Sequence, residues 1–141
     1  MIRKLESEHF ETTVNTITGP YLLKFGSTTC GPCQMMIPVL EKLSAQNPDF
    51  PIFDIDTNES PELAAHFNIR SVPTMFFCED REVIMDLNGL TPYKDLQYII
   101  DNINDPYLRE HGEFNVVKKK DNFIPYLIAG IVAFILLLIL I

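Results

Sequence analysis

The sequence predicts an α/β domain, with a mixed β-sheet and helices on both faces, followed by one C-terminal transmembrane helix. Three observations carry that prediction. Short apolar runs bounded by turn residues alternate with stretches of helical spacing. Two of those runs, 74–78 and 82–87, are separated only by Glu79-Asp80-Arg81, close enough for a hairpin. The last nineteen residues, 123–141, contain no charged side chain.

Taken in order, Ser7 can cap a short helix through Asn15 in which Phe10 and Val14 present one apolar face. Gly19-Pro20 breaks the chain, and YLLKFG at 21–26 reads as a buried strand that delivers the chain to Cys30. A helix begins at the cysteines. Met36, Ile37, Val39, Leu40 and Leu43 keep helical spacing as far as Gln46, and Pro38, unable to donate a backbone hydrogen bond, should kink it.

PIFDID at 51–56 alternates apolar and acidic residues as a strand does, and Ser60-Pro61 reads as N-cap and first residue of a helix over 62–67. After the hairpin strands, Asn88-Gly89 ends the second, and Thr91-Pro92 starts an amphipathic helix through about Ile103. Parallel neighbours need crossovers while the hairpin pair can be antiparallel, so the sheet is expected to be mixed. The domain should occupy 1–104, and 105–122 (DPYLREHGEFNVVKKKDN) reads as a polar juxtamembrane linker with room for one short helical turn.

Nineteen residues at about 1.5 Å each give roughly 28 Å, against a bilayer hydrocarbon core of about 30 Å. Asp121 or Asn122 can cap that helix and Pro125 falls in its first turn. A buried core helix would need a second domain around it. Lys118, Lys119 and Lys120 favour the cytoplasmic flank, so a single-pass C-terminal anchor at 123–141 with the globular part facing the cytosol is expected. Three lysines fall short of the cluster expected for anionic-lipid recognition.

The formal net charge is −8, and nucleic acid is excluded as a partner because phosphate binding wants a basic stripe. Three cysteines are an odd number, and MIRKLESEHFE turns acidic where a secretory signal would be apolar. In a reducing compartment a Cys-x-x-Cys pair is catalytic or metal-binding rather than structural.

Cys30 and Cys33 stand where a strand turns into a helix, with Gly31 and Pro32 shaping the turn so that the two sulfurs can bridge. Cys30, at the helix N-terminus where free N–H groups stabilise a thiolate, is the expected nucleophile; Cys33, one turn in, is the expected resolving thiol. A structural zinc site wants four ligands, and this chain adds only a distant Cys78 and the scattered His9, His66 and His111. No metal is expected. Cys78, inside the run TMFFC, reads as a small buried hydrophobe.

From about Leu5 to Ile103 the chain resembles the thioredoxin family, on CGPC at 30–33, Pro38, Val72-Pro73-Thr74 and Gly89. The resemblance implies a thioredoxin-like fold, a cis Pro73 against the disulfide, and substrate contacts at Val72, Pro73 and Gly89. It implies thiol–disulfide exchange with protein disulfides as substrates, no cofactor beyond the redox-active disulfide Cys30–Cys33, and a thioredoxin-reductase-like electron donor.

The departures concern the surroundings of the pair. Lys24 stands where the family has a buried aspartate, Ile52 replaces its usual lysine partner, Thr29 replaces a tryptophan and Gly26 an aromatic. Lys24 is the candidate modulator: as an ammonium it would depress the pKa of Cys33, as a neutral amine it could act as its base, or its side chain could escape to solvent. The expected function is a membrane-anchored thiol–disulfide oxidoreductase that reduces protein disulfides on the cytosolic face. The alternative is an adaptor that uses the fold to bind a partner with little redox turnover. An oxidase or isomerase ranks behind both, because Gly-Pro between the cysteines resembles reducing members.

Overall fold

In a computed structural model, which describes residues 1–115 together with Ile135 and Leu138, the chain begins with β1 (Ile2–Lys4), α1 (Ser7–Val14), β2 (Tyr21–Gly26) and α2 (Gly31–Gln46). It continues through β3 (Ile52–Asp56), α3 (Pro61–His66), β4 (Thr74–Glu79), β5 (Glu82–Asn88), α4 (Tyr93–Asp101) and α5 (Pro106–His111). Those two positions aside, the span expected at 123–141 lies outside the described residues. Among the described residues no helix is long and apolar enough to cross a membrane.

The five strands lie in the order β1-β3-β2-β4-β5, with β1 and β2 parallel to β3 and the pairs β2/β4 and β4/β5 antiparallel. This is the mixed sheet the sequence predicts. β1 was not expected: it is three residues long with two of them exposed, so it has no apolar alternation to read, and only its pairing with Ile52, Phe53 and Asp54 of β3 makes it a strand.

β2 is the central strand, buried at all six positions. Alternation sorts its side chains. Leu22 joins Ile52, Met75, Phe77, Met36, Leu40 and Leu96 in the core under α2 and α4. Tyr21, Leu23 and Phe25 join Phe53, Ile55, Phe10 and Leu63 in the core under α1 and α3. There Phe25, Phe67 and Phe76 form a triad with ring centroids 5.1 to 5.7 Å apart, worth about 0.5–1.5 kcal/mol per pair beyond burial.

Neither expected cap bonds its own helix. Ser7 is the first residue of α1 rather than its cap, a place taken by Glu6, and the Ser7 N–H donates to Ser60 Oγ at 3.1 Å. Ser60 does occupy the cap position of α3, but it makes no side-chain bond to that helix. Its fully buried hydroxyl ties α1 to α3 instead.

The hairpin turn is one residue tighter than expected, because Glu79 pairs with Glu82 inside the ladder. That leaves Asp80 and Arg81 with φ of 48° and 70°, a two-residue turn with both central residues left-handed and neither a glycine. Arg81 Nη2 reaches Glu11 at 2.7 Å, which fixes the turn against α1.

Packing continues past residue 104, where the sequence suggested a linker. Asp105 caps α5 by accepting from the Leu108 N–H at 2.9 Å, and Gly112 ends it in the left-handed conformation at φ 69°. Leu108 is fully buried in the α2/α4 core, a burial worth about 1.5–3 kcal/mol. Arg109 donates to the Ile103 carbonyl at 2.7 Å and pairs with Glu79.

Candidate active site at the start of the second helix

The turn from β2 into α2 is tied to the end of β3. The Thr57 N–H and Oγ1 both donate to the Gly26 carbonyl, at 2.9 and 3.2 Å, and the Thr28 N–H donates to Asp56 Oδ2 at 3.3 Å. Held this way, the chain presents Cys30 as the N-cap of α2, with extended backbone and its Sγ accepting from the Cys33 N–H at 3.2 Å. Pro32 lies in the first turn, where its missing N–H costs nothing.

Cys30 and Cys33 form a disulfide with Cα atoms 5.2 Å apart. The two sulfurs are unequal. Cys30 is partly exposed, and Gly31 and Pro32 beside it are exposed, with nothing within 4 Å of where a Gly31 Cβ would stand. Cys33 is 0% exposed. A partner arriving from solvent meets the sulfur of Cys30.

Facing the pair is the loop before β4. The Val72–Pro73 peptide is cis, and the Val72 carbonyl oxygen lies 3.8 Å from Cys30 Sγ. Gly89, at φ 82°, donates its N–H to the Pro73 carbonyl at 2.8 Å, and Thr74 Oγ1 donates to the Ser71 carbonyl at 2.7 Å. The sequence-predicted residues Cys30, Gly31, Pro32, Cys33, Val72, Pro73 and Gly89 are thus gathered at one end of the sheet.

Lys24 does not escape to solvent. It is 4% exposed, on the α2 side of β2, and its Nζ lies 2.8 Å from Asp54 Oδ1 on β3. Sequence reasoning missed Asp54. The signal was the parallel register, which sets Lys24 against Asp54 one pair along from Leu23 against Phe53.

Cys78 lies at the far end of β4, in the α1/α3 core, and takes no part in this arrangement. Burial pushes its thiol up from 9.0 to about 12. Burial likewise raises the neighbouring Tyr21 phenol to about 12. His9, His66 and His111 are exposed and scattered.

What this end of the sheet offers a partner is one reachable sulfur with a second beneath it, the equipment of a thiol–disulfide oxidoreductase. Comparison with known proteins gives the family. The thioredoxin family model matches residues 1–102. A thioredoxin of Listeria monocytogenes is 32% identical over 102 residues, covering 72% of this chain and 97% of the relative. One from Staphylococcus haemolyticus is 33% identical over 101 residues, covering 71% and 95%.

The chain belongs to the thioredoxin family. Among solved structures, thioredoxin NaTrxh from Nicotiana alata superposes with a TM-score of 0.66 at 23% identity, over 71% of this chain and 90% of that one, a likeness of fold. A chain from a study of the thiol resolving mechanism in yeast mitochondrial 1-Cys peroxiredoxin via glutathione/thioredoxin systems gives 0.63 at 30% identity, over 71% and 94%.

Proposed function

We propose that this chain is a membrane-anchored disulfide reductase whose redox domain works at the cytosolic face on protein disulfides held at that membrane. The observation that carries the redox half is the asymmetry of the pair, Cys30 partly exposed and Cys33 fully buried. The Cys30 thiolate attacks a substrate disulfide and forms a mixed disulfide; Cys33 then displaces the reduced product, and the Cys30–Cys33 bond closes. Val72 presents its backbone to the bound substrate strand beside Cys30, with the cis Pro73 and Gly89 flanking it. A thioredoxin-reductase-like donor returns the two electrons, and no other cofactor or metal is required.

The anchor rests on the uncharged run 123–141 and on Lys118–Lys120 before it. Confinement raises the effective concentration toward partners in the same membrane without improving any contact. Thr29 is exposed at a position where the family carries a tryptophan, so the rim offers less apolar surface and narrows the choice of substrate.

The test is the reduction potential of the pair, from equilibration with glutathione buffers and counting of alkylated thiols. A value more negative than about −220 to −260 mV supports a reductase. A much less negative value favours an oxidant, and a pair that never closes favours the adaptor reading. For the anchor, the full chain should stay with membranes after alkaline extraction while a chain ending before 123 is released; equal release of both defeats the anchor.

A further inference from the structure

Lys24 is a charged group placed between a carboxylate and the redox pair. Its side chain is 5% exposed, while that of Asp54, 2.8 Å away, is 40% exposed. The wet side of Asp54 opens on a surface cavity of about 370 Å³ lined by Ile2, Lys4, Thr28, Asp54, Asp56 and Glu59. One side of the ion pair touches water and the other is sealed under α2.

Gly26 shows what the sealed end approaches. A Cβ at Gly26 would stand 2.7 Å from Lys24 Nζ, 2.9 Å from Lys24 Cε and 3.4 Å from Cys33 Cβ. Lys24 Nζ and Cys33 Cβ therefore flank the same small space, no more than about 6 Å apart, which brings the charge to the edge of the range over which it shifts a neighbour's proton affinity. A side chain at 26 would displace the lysine tip. The glycine and the lysine are thus two halves of one local arrangement.

The other charges facing this space are accounted for. β3 also brings Asp56, whose carboxylate accepts from the N–H groups of Thr28, Asn58 and Glu59. β1 brings Lys4, paired with Glu59 and Glu6. On β4 the neighbour of Lys24 is Met75, and residues 31–40 of α2 include no charged side chain. Lys24 is the cation whose tip shares the space beside Gly26 with Cys33.

We propose that Lys24, held by Asp54 and given room by Gly26, is a positioning residue that favours the thiolate of Cys33 in the resolving step. This rests on the reading of Cys33 as resolving thiol. In that step the S–H bond of Cys33 breaks, its sulfur bonds to Cys30 Sγ, and the bond from Cys30 to the substrate sulfur breaks. The electron pair leaves on the substrate sulfur, which ends with the proton; the two cysteines are oxidised and the substrate reduced. A fixed positive charge beside Cys33 lowers the cost of the first event.

The test uses the full chain in neutral detergent, in a Cys30→Ser background, with Cys33 followed by thiolate absorbance during a pH titration. Cys78, raised to about 12, stays out of the window. Lys24→Met should raise the pKa of Cys33 by at least about one unit. Gly26→Ala, which keeps the charge and moves the lysine tip, should raise it by less. In proteins that retain Cys30, Lys24→Met should shift the acidic limb of the reduction profile to higher pH by a similar amount.

Circular dichroism establishes that each variant is folded, and Gly26→Ala carries the test alone should Lys24→Met fail to fold. Cys33 titrating at one and the same pH in every folded variant overturns the proposal while leaving a reductase intact, provided the unmutated chain still reduces insulin. An unmutated chain that reduces nothing overturns the reductase reading and the resolving role together.

Discussion

Cys33 and Cys78 are buried almost equally, at 0% and 2% exposure, on opposite faces of one sheet. Their surroundings differ in everything else. Cys33 sits in the first turn of a helix, bonded to a second cysteine, with an ammonium close by. Cys78 sits among Phe10, Tyr21, Phe25 and Leu23, and burial alone sets its proton affinity. A buried thiol is therefore inert by default. Chemistry starts where the backbone brings a second sulfur and a helix N-terminus to the same place.

The contrast is broken most severely at Cys30. Cys30→Ser should reduce insulin reduction to the uncatalysed background, and residual catalysis above it would mean that another thiol attacks. Cys33→Ser should keep the attack and lose the release, so covalent complexes with substrates accumulate on non-reducing gels and vanish with dithiothreitol. If nothing is captured, the assigned order of the two thiols is wrong.

A subtler test is alkaline stability. The folded chain holds the Cys78 proton up to about 12, whereas the unfolded chain releases it near 9.0, so unfolding gains free energy as pH rises between these values. Stability should be unaffected by Cys78 below pH 9 and fall above it, and Tyr21 adds a loss of the same sign. Denaturant midpoints from pH 8 to pH 11 measure this, and the decline should be shallower in Cys78→Ala. That variant has the smallest expected effect on function: about 1–2 kcal/mol of stability lost at neutral pH and an unchanged reduction rate. A changed rate would move Cys78 into the site.

Much of this is legible in the sequence alone, for reasons that differ by element. β2 and the start of α2 declare themselves because a short run rich in aliphatic and aromatic residues ends at turn residues and a cysteine pair. Val72, Pro73 and Gly89 were legible only through resemblance, since nothing local says that a loop some forty residues away lies 3.8 Å from Cys30. β1 stayed hidden because an edge strand of three residues borrows its order from Ile52, Phe53 and Asp54.

α5 was legible only as a short helical turn allowed within a linker, because one buried residue, Leu108, anchors it, too few for a periodic signal. Lys24 could be noticed as out of place, but its partner could not. Asp54 is an ordinary half-exposed acid until the parallel register sets it opposite.

The parallel pairing of β1 with β3 also fixes an order of events during translation. Ile2 has no strand to lie against until Ile52 has left the ribosome, which at about 5 to 20 residues per second is a wait of several seconds. The hairpin β4–β5 has no such wait, because its two strands are separated only by Asp80 and Arg81. β1 is thus made well before its partner strand and is ordered only once β3 has emerged, whereas the hairpin edge of the sheet is made as one piece.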